Sequence, residues 1–199
     1  WSNTGEIPNN GVDDDGNGFI DDTIGWDFED DDNSPNTNFF HGTAVAGVVA
    51  AVGNNGIGIA GLAGGGDAGG GCSVMPLCVG EFFPISTVVD DAVLYAANNG
   101  ARVITLSLSA PSDPAIINAL SFAHDTANVF IDCSAGNSGG PSISFPATHD
   151  DVMAVASTDR NDKRSSFSST GTDLEVSAPG EDILMLDLNG NYGGSSGTS

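Results

Sequence analysis

The feature that most constrains the fold is a regular alternation of short apolar runs and capped helices. Strands are predicted at 74–79, 102–108, 128–133, 152–156 and 174–177. One helix is predicted to start at a cap on Ser86 or Thr87 and to end at Asn98, and a second runs from Asp113-Pro114 to about Ala127. Strands that alternate with helices favour a mostly parallel sheet covered on both faces, so we expect an α/β fold.

The size of the chain is suited to one domain. Its 199 residues, of which 39% are hydrophobic, are enough to bury a sizeable core, and we expect residues 1–199 to form a single domain. Cys72, Cys78 and Cys133 are too few for a disulfide scaffold, and a Cys72–Cys78 bridge stays open. The glycine-rich loop at 64–71 lacks the Gly-Lys-Ser/Thr ending of a phosphate-binding loop.

The charge balance excludes some classes of partner. Asp and Glu number 27 against 4 Lys and Arg, for a formal net charge of −23. A chain with no basic footprint is not expected to bind nucleic acid or an anionic membrane surface, and no apolar run is long enough to cross a membrane. Eleven of the 27 carboxylates lie between Glu6 and Asp32, which indicates either a solvated acidic surface or local cation sites.

The first acidic loop has the spacing of a calcium site. Asp13, Asp15 and Asn17 place oxygens at alternating positions, and Gly18 allows the sharp turn that such a loop needs. The closing glutamate of the pattern is missing, because Ile24 occupies position twelve. We predict that these three residues bind Ca²⁺, with a solvated loop as the alternative.

A second acidic loop follows and offers the same kind of ligand. Its carboxylate, hydroxyl and amide oxygens suit the hard oxygen shell that calcium prefers. The predicted ligands are Asp27, Asp30, Asp32, Ser34 and Asn36. Here too, a solvated acidic loop is the alternative.

Three residues that are distant in sequence are candidates for acyl-transfer chemistry. His41 begins a helix of small and apolar residues that is predicted to reach Val52, with Thr43 as a cap of its first turn. Ser199 supplies a hydroxyl, and a serine nucleophile needs a neighbouring base, which is usually histidine. Asn137 follows a predicted strand, at the edge where sites form in parallel sheets, and its amide can stabilise a developing oxyanion.

These segments resemble the subtilisin-like serine peptidases. The matching motifs are His41-Gly42-Thr43-Ala44-Val45-Ala46-Gly47, Ser134-Ala135-Gly136-Asn137-Ser138-Gly139 and Gly197-Thr198-Ser199, in the family's order. The resemblance implies a three-layer fold with a mostly parallel central sheet flanked by helices, and a secreted serine endopeptidase. His41 would be the base, Ser199 the nucleophile and Asn137 the oxyanion donor.

The resemblance also implies a substrate and a cofactor. A polypeptide would lie between Ser107, Leu108 and Ser109 on one side and Ala135 and Gly136 on the other. The segment at 25–36 is similar to the calcium site of thermitase-type members, which adds to the case for Ca²⁺. We expect a monomer, with a propeptide in the full-length protein.

One departure from the family pattern bears on activity. The family's aspartate lies in an Asp-Thr/Ser-Gly motif ahead of its histidine, and no such motif precedes His41. We therefore expect a domain truncated at both ends, without the aspartate strand and the helix after the serine, and weakly active or inactive by itself. The alternative is a catalytically dead subtilisin-like domain that acts as a calcium-stabilised binding or scaffolding module. An esterase, whose nucleophile usually lies in Gly-x-Ser-x-Gly, is the least favoured alternative, although 136–140 and 193–197 have this spacing.

Overall fold

A computed structural model describes residues 1–66 and 69–199, which form two compact units. The first unit comprises Trp1–Val88 and Met185–Tyr192, and the second comprises Val89–Leu184 and Gly193–Ser199. Asp67 and Ala68, in the predicted glycine-rich loop, lie outside the described residues. Across the two described ranges, no helix is long and apolar enough to span a membrane.

The first unit consists mainly of loops around three short elements. These are strand β1 (Trp26–Asp27), helix α1 (His41–Ala50) and strand β2 (Leu77–Cys78), with β1 and β2 paired in parallel. The ring of Phe19 packs edge-on against Trp26 and Phe28, with ring centres 5.0 and 5.7 Å apart. These aromatic side chains form a small apolar cluster between the two acidic segments. The strand predicted at 74–79 is only two residues long, Leu77–Cys78.

Helix α1 begins at the candidate base. Phe40 occupies the N-cap position and makes no side-chain hydrogen bond to the first turn. The predicted cap at Thr43 is wrong, because Thr43 lies inside the helix. The helix ends at Ala50, two residues before the predicted Val52. Its small residues allow a close approach, because a Cβ on Gly47 would lie 2.8 Å from Cδ1 of Leu186.

The second unit contains the predicted parallel sheet. Its strands are β3 (Val103–Leu106), β4 (Phe130–Ser134), β5 (Met153–Thr158) and β6 (Leu174–Pro179), which lie side by side in that order and all run parallel. The helices are α2 (Val89–Asn98) and α3 (Pro114–Ser121), and α3 continues into a π-helical turn (Phe122–Thr126). Ile116, Leu120 and Ile131 are fully buried in this core. The α/β class, with a parallel sheet flanked by helices, is confirmed.

Local signals placed some helix ends correctly and others wrongly. The Asp113 side chain caps α3 by accepting a hydrogen bond of 2.8 Å from the Ala115 N–H, and Pro114 is the first helical residue. The predicted cap of α2 at Ser86 or Thr87 is wrong, because a turn occupies 86–88 and the helix starts only at Val89. Near the chain end, β7 (Ile183–Leu186) and β8 (Tyr192–Ser195) form a two-stranded sheet that the sequence did not predict.

Candidate active site

The loop that leaves β4 is held in a conformation that requires glycine. The Ala135 N–H continues the sheet by donating to the Val155 carbonyl at 3.0 Å. Gly136 has φ +105°, and a Cβ there would lie 3.0 Å from Ser144 Oγ and 3.1 Å from Ser169 Oγ. The loop therefore turns sharply at the carboxyl edge of the sheet and presents Asn137 there.

Hydrogen bonds to Thr198 fix the orientation of the Asn137 amide. Asn137 Oδ1 accepts from the Thr198 N–H at 2.9 Å and from Thr198 Oγ1 at 3.0 Å. A backbone N–H can only donate, so the amide oxygen must face Thr198, and Nδ2 is turned away from it as a donor. This is the orientation that an oxyanion donor needs.

Thr198 connects the two segments of the candidate site. Its Oγ1 also accepts a hydrogen bond of 3.1 Å from the Gly136 N–H, and the residue is only 8% exposed. Sequence reasoning assigned Thr198 no role. The available signal was a hydroxyl beside the candidate nucleophile, but its partners lie about sixty residues away and could not be read from spacing.

Ser199 and Ser107 meet at the same edge of the sheet. Ser107 directly follows β3, and its Oγ donates to the Ser199 carbonyl at 3.0 Å. Ser199 is exposed. The structure thus brings Asn137, Ser199 and Ser107 together from three distant parts of the chain.

The residues predicted to line the substrate pocket leave two adjacent strands. Leu106 of β3 is in register with Cys133 of β4, so 107–109 and 135–136 emerge at the same edge. The Leu108 carbonyl accepts a hydrogen bond of 3.6 Å from Cys133 Sγ, and Ser109 is exposed. Such an arrangement can form two walls of a groove, with Ala135 buried beneath one of them.

His41 belongs to the first unit, where it is the first residue of α1. Its imidazole is half-buried and stacks on the ring of Phe39, with ring centres 6.4 Å apart and planes inclined by 26°. Burial lowers the pKa of His41 from its ordinary value of 6.5, because the charged imidazolium loses solvation. At neutral pH the ring is therefore neutral and able to accept a proton.

The first acidic loop, also in the first unit, wraps around Asp13. The Asp13 carboxylate accepts hydrogen bonds from the N–H groups of Gly16 at 2.7 Å, Asn17 at 3.1 Å and Gly18 at 2.9 Å. Gly18 has φ +98°, as the predicted sharp turn requires. Ligand oxygens of Asp13, Asp15 and Glu6 lie within 4.8 Å of one another.

Glu6 is a member of this cluster that sequence reasoning missed. It is 7% exposed and accepts hydrogen bonds from the N–H groups of Asp14, Asp15 and Asp21 at 2.8–3.1 Å. The distance in sequence between Glu6 and Asp13 does not fit the spacing of a calcium loop. The only signal in the sequence was that Glu6 is the first acidic residue of the chain. Carboxylates this close together, one of them buried, favour a bound cation, since like charges repel.

The second acidic loop is ordered by its own backbone. Asp27 Oδ1 accepts from the N–H groups of Glu29 and Asp30 at 2.8 and 3.2 Å, and Asp32 Oδ1 accepts from the Ser34 N–H at 2.8 Å. Asn36 donates to Ser34 Oγ at 3.3 Å. Within residues 1–66 and 69–199, no three carboxylates of this loop have ligand atoms within 4.8 Å of one another. Its calcium site stays a prediction.

Comparisons with known proteins agree with this geometry. The sequence profile described as the subtilase family matches residues 6–199. Thermitase of Thermoactinomyces vulgaris is 38% identical over 178 residues, which cover 88% of this chain and 61% of thermitase. The "Halolysin-like extracellular serine protease Nep" of Natrialba magadii is 35% identical over 181 residues, 88% of this chain and 32% of that protein.

A solved structure is also similar to this chain. It is titled "Structure of Prenylagaramide maturation protease PagA" and matches with a TM-score of 0.68 and 26% identity, covering 80% of this chain and 58% of that one. The chain thus spans about three fifths of the length of thermitase and a smaller share of the other two proteins.

Proposed function

Because the chain belongs to the subtilase family, we propose that it carries the chemistry of a serine endopeptidase that cleaves polypeptides through an acyl-enzyme. The observation that supports this most is the hydrogen-bonded cluster of Asn137, Thr198 and Ser199 at the carboxyl edge of the sheet. A nucleophile, an oriented amide donor and an open edge are the parts that acyl transfer needs. The named relatives are proteases, which favours this function over a catalytically dead binding module.

In the proposed reaction, Ser199 Oγ attacks the carbonyl carbon of the substrate while the imidazole of His41 accepts its proton. The negative charge that develops on the carbonyl oxygen is stabilised by Asn137 Nδ2 and the backbone N–H of Ser199. The tetrahedral intermediate collapses, and His41 gives the proton to the leaving amine. Water then hydrolyses the acyl-enzyme through the same groups.

The substrate is proposed to bind in extended form along the sheet edge. Ser107, Leu108 and Ser109 would form one wall of the primary pocket, and Ala135 and Gly136 the other. An extended peptide pairs with an exposed edge through main-chain hydrogen bonds, and alternate side chains enter pockets. Since these five residues carry no charge, the pocket suits an apolar or uncharged side chain.

The endopeptidase function is tested in the full-length protein that carries this chain. Hydrolysis of an internally quenched peptide should be lost on Ser199→Ala, and a serine-directed phosphonate should label the parent protein at Ser199. Ser195→Ala is a matched control, because Ser195 lies in β8 and should leave the rate unchanged. Undiminished hydrolysis by the Ser199→Ala variant would refute the proposal.

We also propose that the acidic loops bind Ca²⁺, with Asp13, Asp15, Glu6 and Asn17 in the first loop. Carboxylate and amide oxygens are the ligands that Ca²⁺ prefers. Ca²⁺ that binds only the folded state at 1,000 times its Kd should add about 4 kcal/mol to the free energy of unfolding.

The calcium proposal is tested by thermal unfolding after chelation and after Ca²⁺ is restored. Glu6→Gln should reduce the calcium-dependent rise in Tm if the first loop binds the ion. Asp32→Asn reports on the second loop, and Glu175→Gln, far from both in sequence, serves as the control. The same Tm with chelator and with Ca²⁺ would exclude both sites.

A secreted location is a further part of the proposal, and its support is the printed name of the relative Nep, which describes it as extracellular. A monomeric enzyme with a propeptide is proposed by family resemblance. Expression of the full-length gene in its host, with protein quantified in medium and cells, tests secretion. Light scattering of the product tests the monomer, and its N-terminal sequence tests removal of a propeptide.

A further inference from the structure

A second cluster of titratable side chains lies in the second unit, away from the catalytic edge. Two of its members, His124 and Asp125, sit on the π-helical turn that precedes β4. The other two, His149 and Asp151, lie in the loop that precedes β5. The cluster is therefore near the amino ends of the parallel strands, whereas Asn137 and Ser107 follow their carboxyl ends.

The nitrogen and oxygen atoms of this cluster converge. His124 Nδ1 lies 2.9 Å from Asp125 Oδ1 and 3.6 Å from Asp151 Oδ1. The second oxygen of Asp151 lies 3.7 Å from His149 Nδ1. Ligand atoms of His124, Asp125 and Asp151 all lie within 4.8 Å of one another. In a tetrahedral zinc site with bonds of about 2.0–2.1 Å, neighbouring ligand atoms are about 3.3–3.4 Å apart, so the 2.9 and 3.6 Å separations from His124 Nδ1 need little adjustment.

The surroundings orient the ligands as a metal site requires. Ser121 Oγ donates to Asp151 Oδ2 at 2.9 Å, a type of outer contact that commonly fixes a metal-binding carboxylate. His149 Nδ1 accepts a hydrogen bond of 3.2 Å from the Asp151 N–H, so this histidine holds the backbone at Asp151 and does not offer this nitrogen to a metal. The π-helical turn is a second, independent indication, since such turns occur frequently at functional sites.

Exposure and charge also suit a metal that enters from solvent. The side chains of His149 and Asp151 are 13% and 22% exposed, whereas those of His124 and Asp125 are 48% and 68% exposed. The site is thus closed on one side and open on the other. Asp150 adds a further negative charge beside the cluster, in a chain whose formal net charge is −23.

We propose that His124, Asp125 and Asp151 form a binding site for a divalent transition metal, with Zn²⁺ the best fit and His149 positioning the loop that carries Asp151. Imidazole nitrogen favours Zn²⁺ over Ca²⁺, which takes oxygen ligands, so this site differs in chemistry from the acidic loops. A bound metal would tie the end of α3 to the loop before β5 and stabilise the second unit. The proposal does not depend on peptidase activity.

The test measures Zn²⁺ binding by competition with a chromophoric chelator, with Ca²⁺ in excess to occupy the oxygen sites. The full-length protein is used in a Ser199→Ala background, to prevent autolysis, with Cys72→Ser. Burial raises the pKa of the Cys78 thiol to about 11 and that of Cys133 to about 12, so exposed Cys72 is the thiol that would compete for the metal.

One tight Zn²⁺ per chain is expected. His124→Gln and Asp151→Asn should each abolish it, and Ser121→Ala should weaken it about tenfold. His41→Gln is the matched control, because it removes the third histidine of the chain and should leave Zn²⁺ affinity unchanged. The visible absorption of bound Co²⁺ should be that of a tetrahedral site and should disappear in the His124→Gln variant.

Two outcomes would overturn the proposal. One is no Zn²⁺ binding in the parent protein under these conditions. The other is equal Zn²⁺ affinity in the parent, His124→Gln and Asp151→Asn proteins, which would place the metal elsewhere. Circular dichroism of each variant identifies any that fails to fold, and Ser121→Ala, which removes a single hydroxyl, then provides the deciding measurement.

Discussion

At the scale of single residues, Asn137 and Thr198 form the most ordered part of the candidate site. Two donors from Thr198 hold the Asn137 oxygen, and the same threonine hydroxyl accepts from Gly136. The amide is thus oriented before any substrate binds. Preorganised donors of this kind are effective because they need no rearrangement when charge develops.

Asn137→Ala should lower kcat about 10²–10³-fold, the range measured for such a donor in subtilisin itself, with little change in KM. Thr198→Val keeps the shape of the side chain but leaves the Gly136 N–H without its acceptor. We expect it to reduce both kcat and the free energy of unfolding, the latter by about 1–3 kcal/mol. Steady-state kinetics and denaturant unfolding check both effects. Wild-type kcat in the Asn137→Ala protein would contradict the oxyanion role.

The half-buried position of His41 predicts the direction in which its pKa is shifted. In the 199-residue chain its imidazole should titrate below 6.5, because burial disfavours the charged form. NMR of the imidazole protons as a function of pH measures this. Phe39→Ala removes the stacked ring and should move the pKa back toward 6.5. A carboxylate that binds this imidazole in the full-length protein would raise the pKa, so the difference between the two proteins would reveal such a partner. Titration above 6.5 in the 199-residue chain would contradict the prediction.

At the scale of elements, helix α1 depends on a glycine for its close packing. A Cβ on Gly47 would meet three atoms of Leu186, at 2.8, 2.9 and 3.4 Å. The helix would gain some propensity from alanine, but the clash requires Leu186 to move. Gly42 in the same helix has no neighbouring atom within 4 Å of such a Cβ.

Gly47→Ala should therefore lower the free energy of unfolding, since overpacking costs about 1–3 kcal/mol and the gain in helix propensity is at most about 1 kcal/mol. Gly42→Ala should leave stability unchanged or raise it. Denaturant unfolding of both variants gives the comparison. Equal free energies of unfolding for the two variants would contradict the prediction, because Leu186 would then move at no cost.

At the scale of the whole molecule, negative charge dominates. A net charge of −23 is spread over 199 residues with only four Lys and Arg. Repulsion among these negative charges destabilises the folded state. Salt weakens this repulsion, because the Debye length is about 10 Å at 0.1 M.

Raising NaCl from about 0.01 M to about 0.5 M should therefore raise Tm, even with a chelator present. Calorimetry in NaCl and in choline chloride checks the mechanism, because screening depends on ionic strength and not on the cation. A rise in NaCl alone would indicate a specific sodium site, and a fall in both salts would contradict the prediction.

The sequence by itself determined the α/β class and the residues of the candidate catalytic motifs. The Asp113 cap and the strands near 152–156 and 174–177 were predictable because capping and apolar patterning act between neighbours in the chain. The misplaced caps at Thr43 and Ser86 show the limit of such signals, since a polar residue near a helix start does not by itself decide where the helix begins.

Only the tertiary structure decided which groups meet. The amide of Asn137 is oriented by Thr198, 61 positions away, and Ser107 reaches Ser199 across 92 positions. Glu6 joins Asp13 and Asp15 outside any spacing rule, and His124, on the π-helical turn, reaches Asp151 in the loop before β5. Contacts between residues that are remote in sequence follow from strand order and loop path, which no local pattern contains.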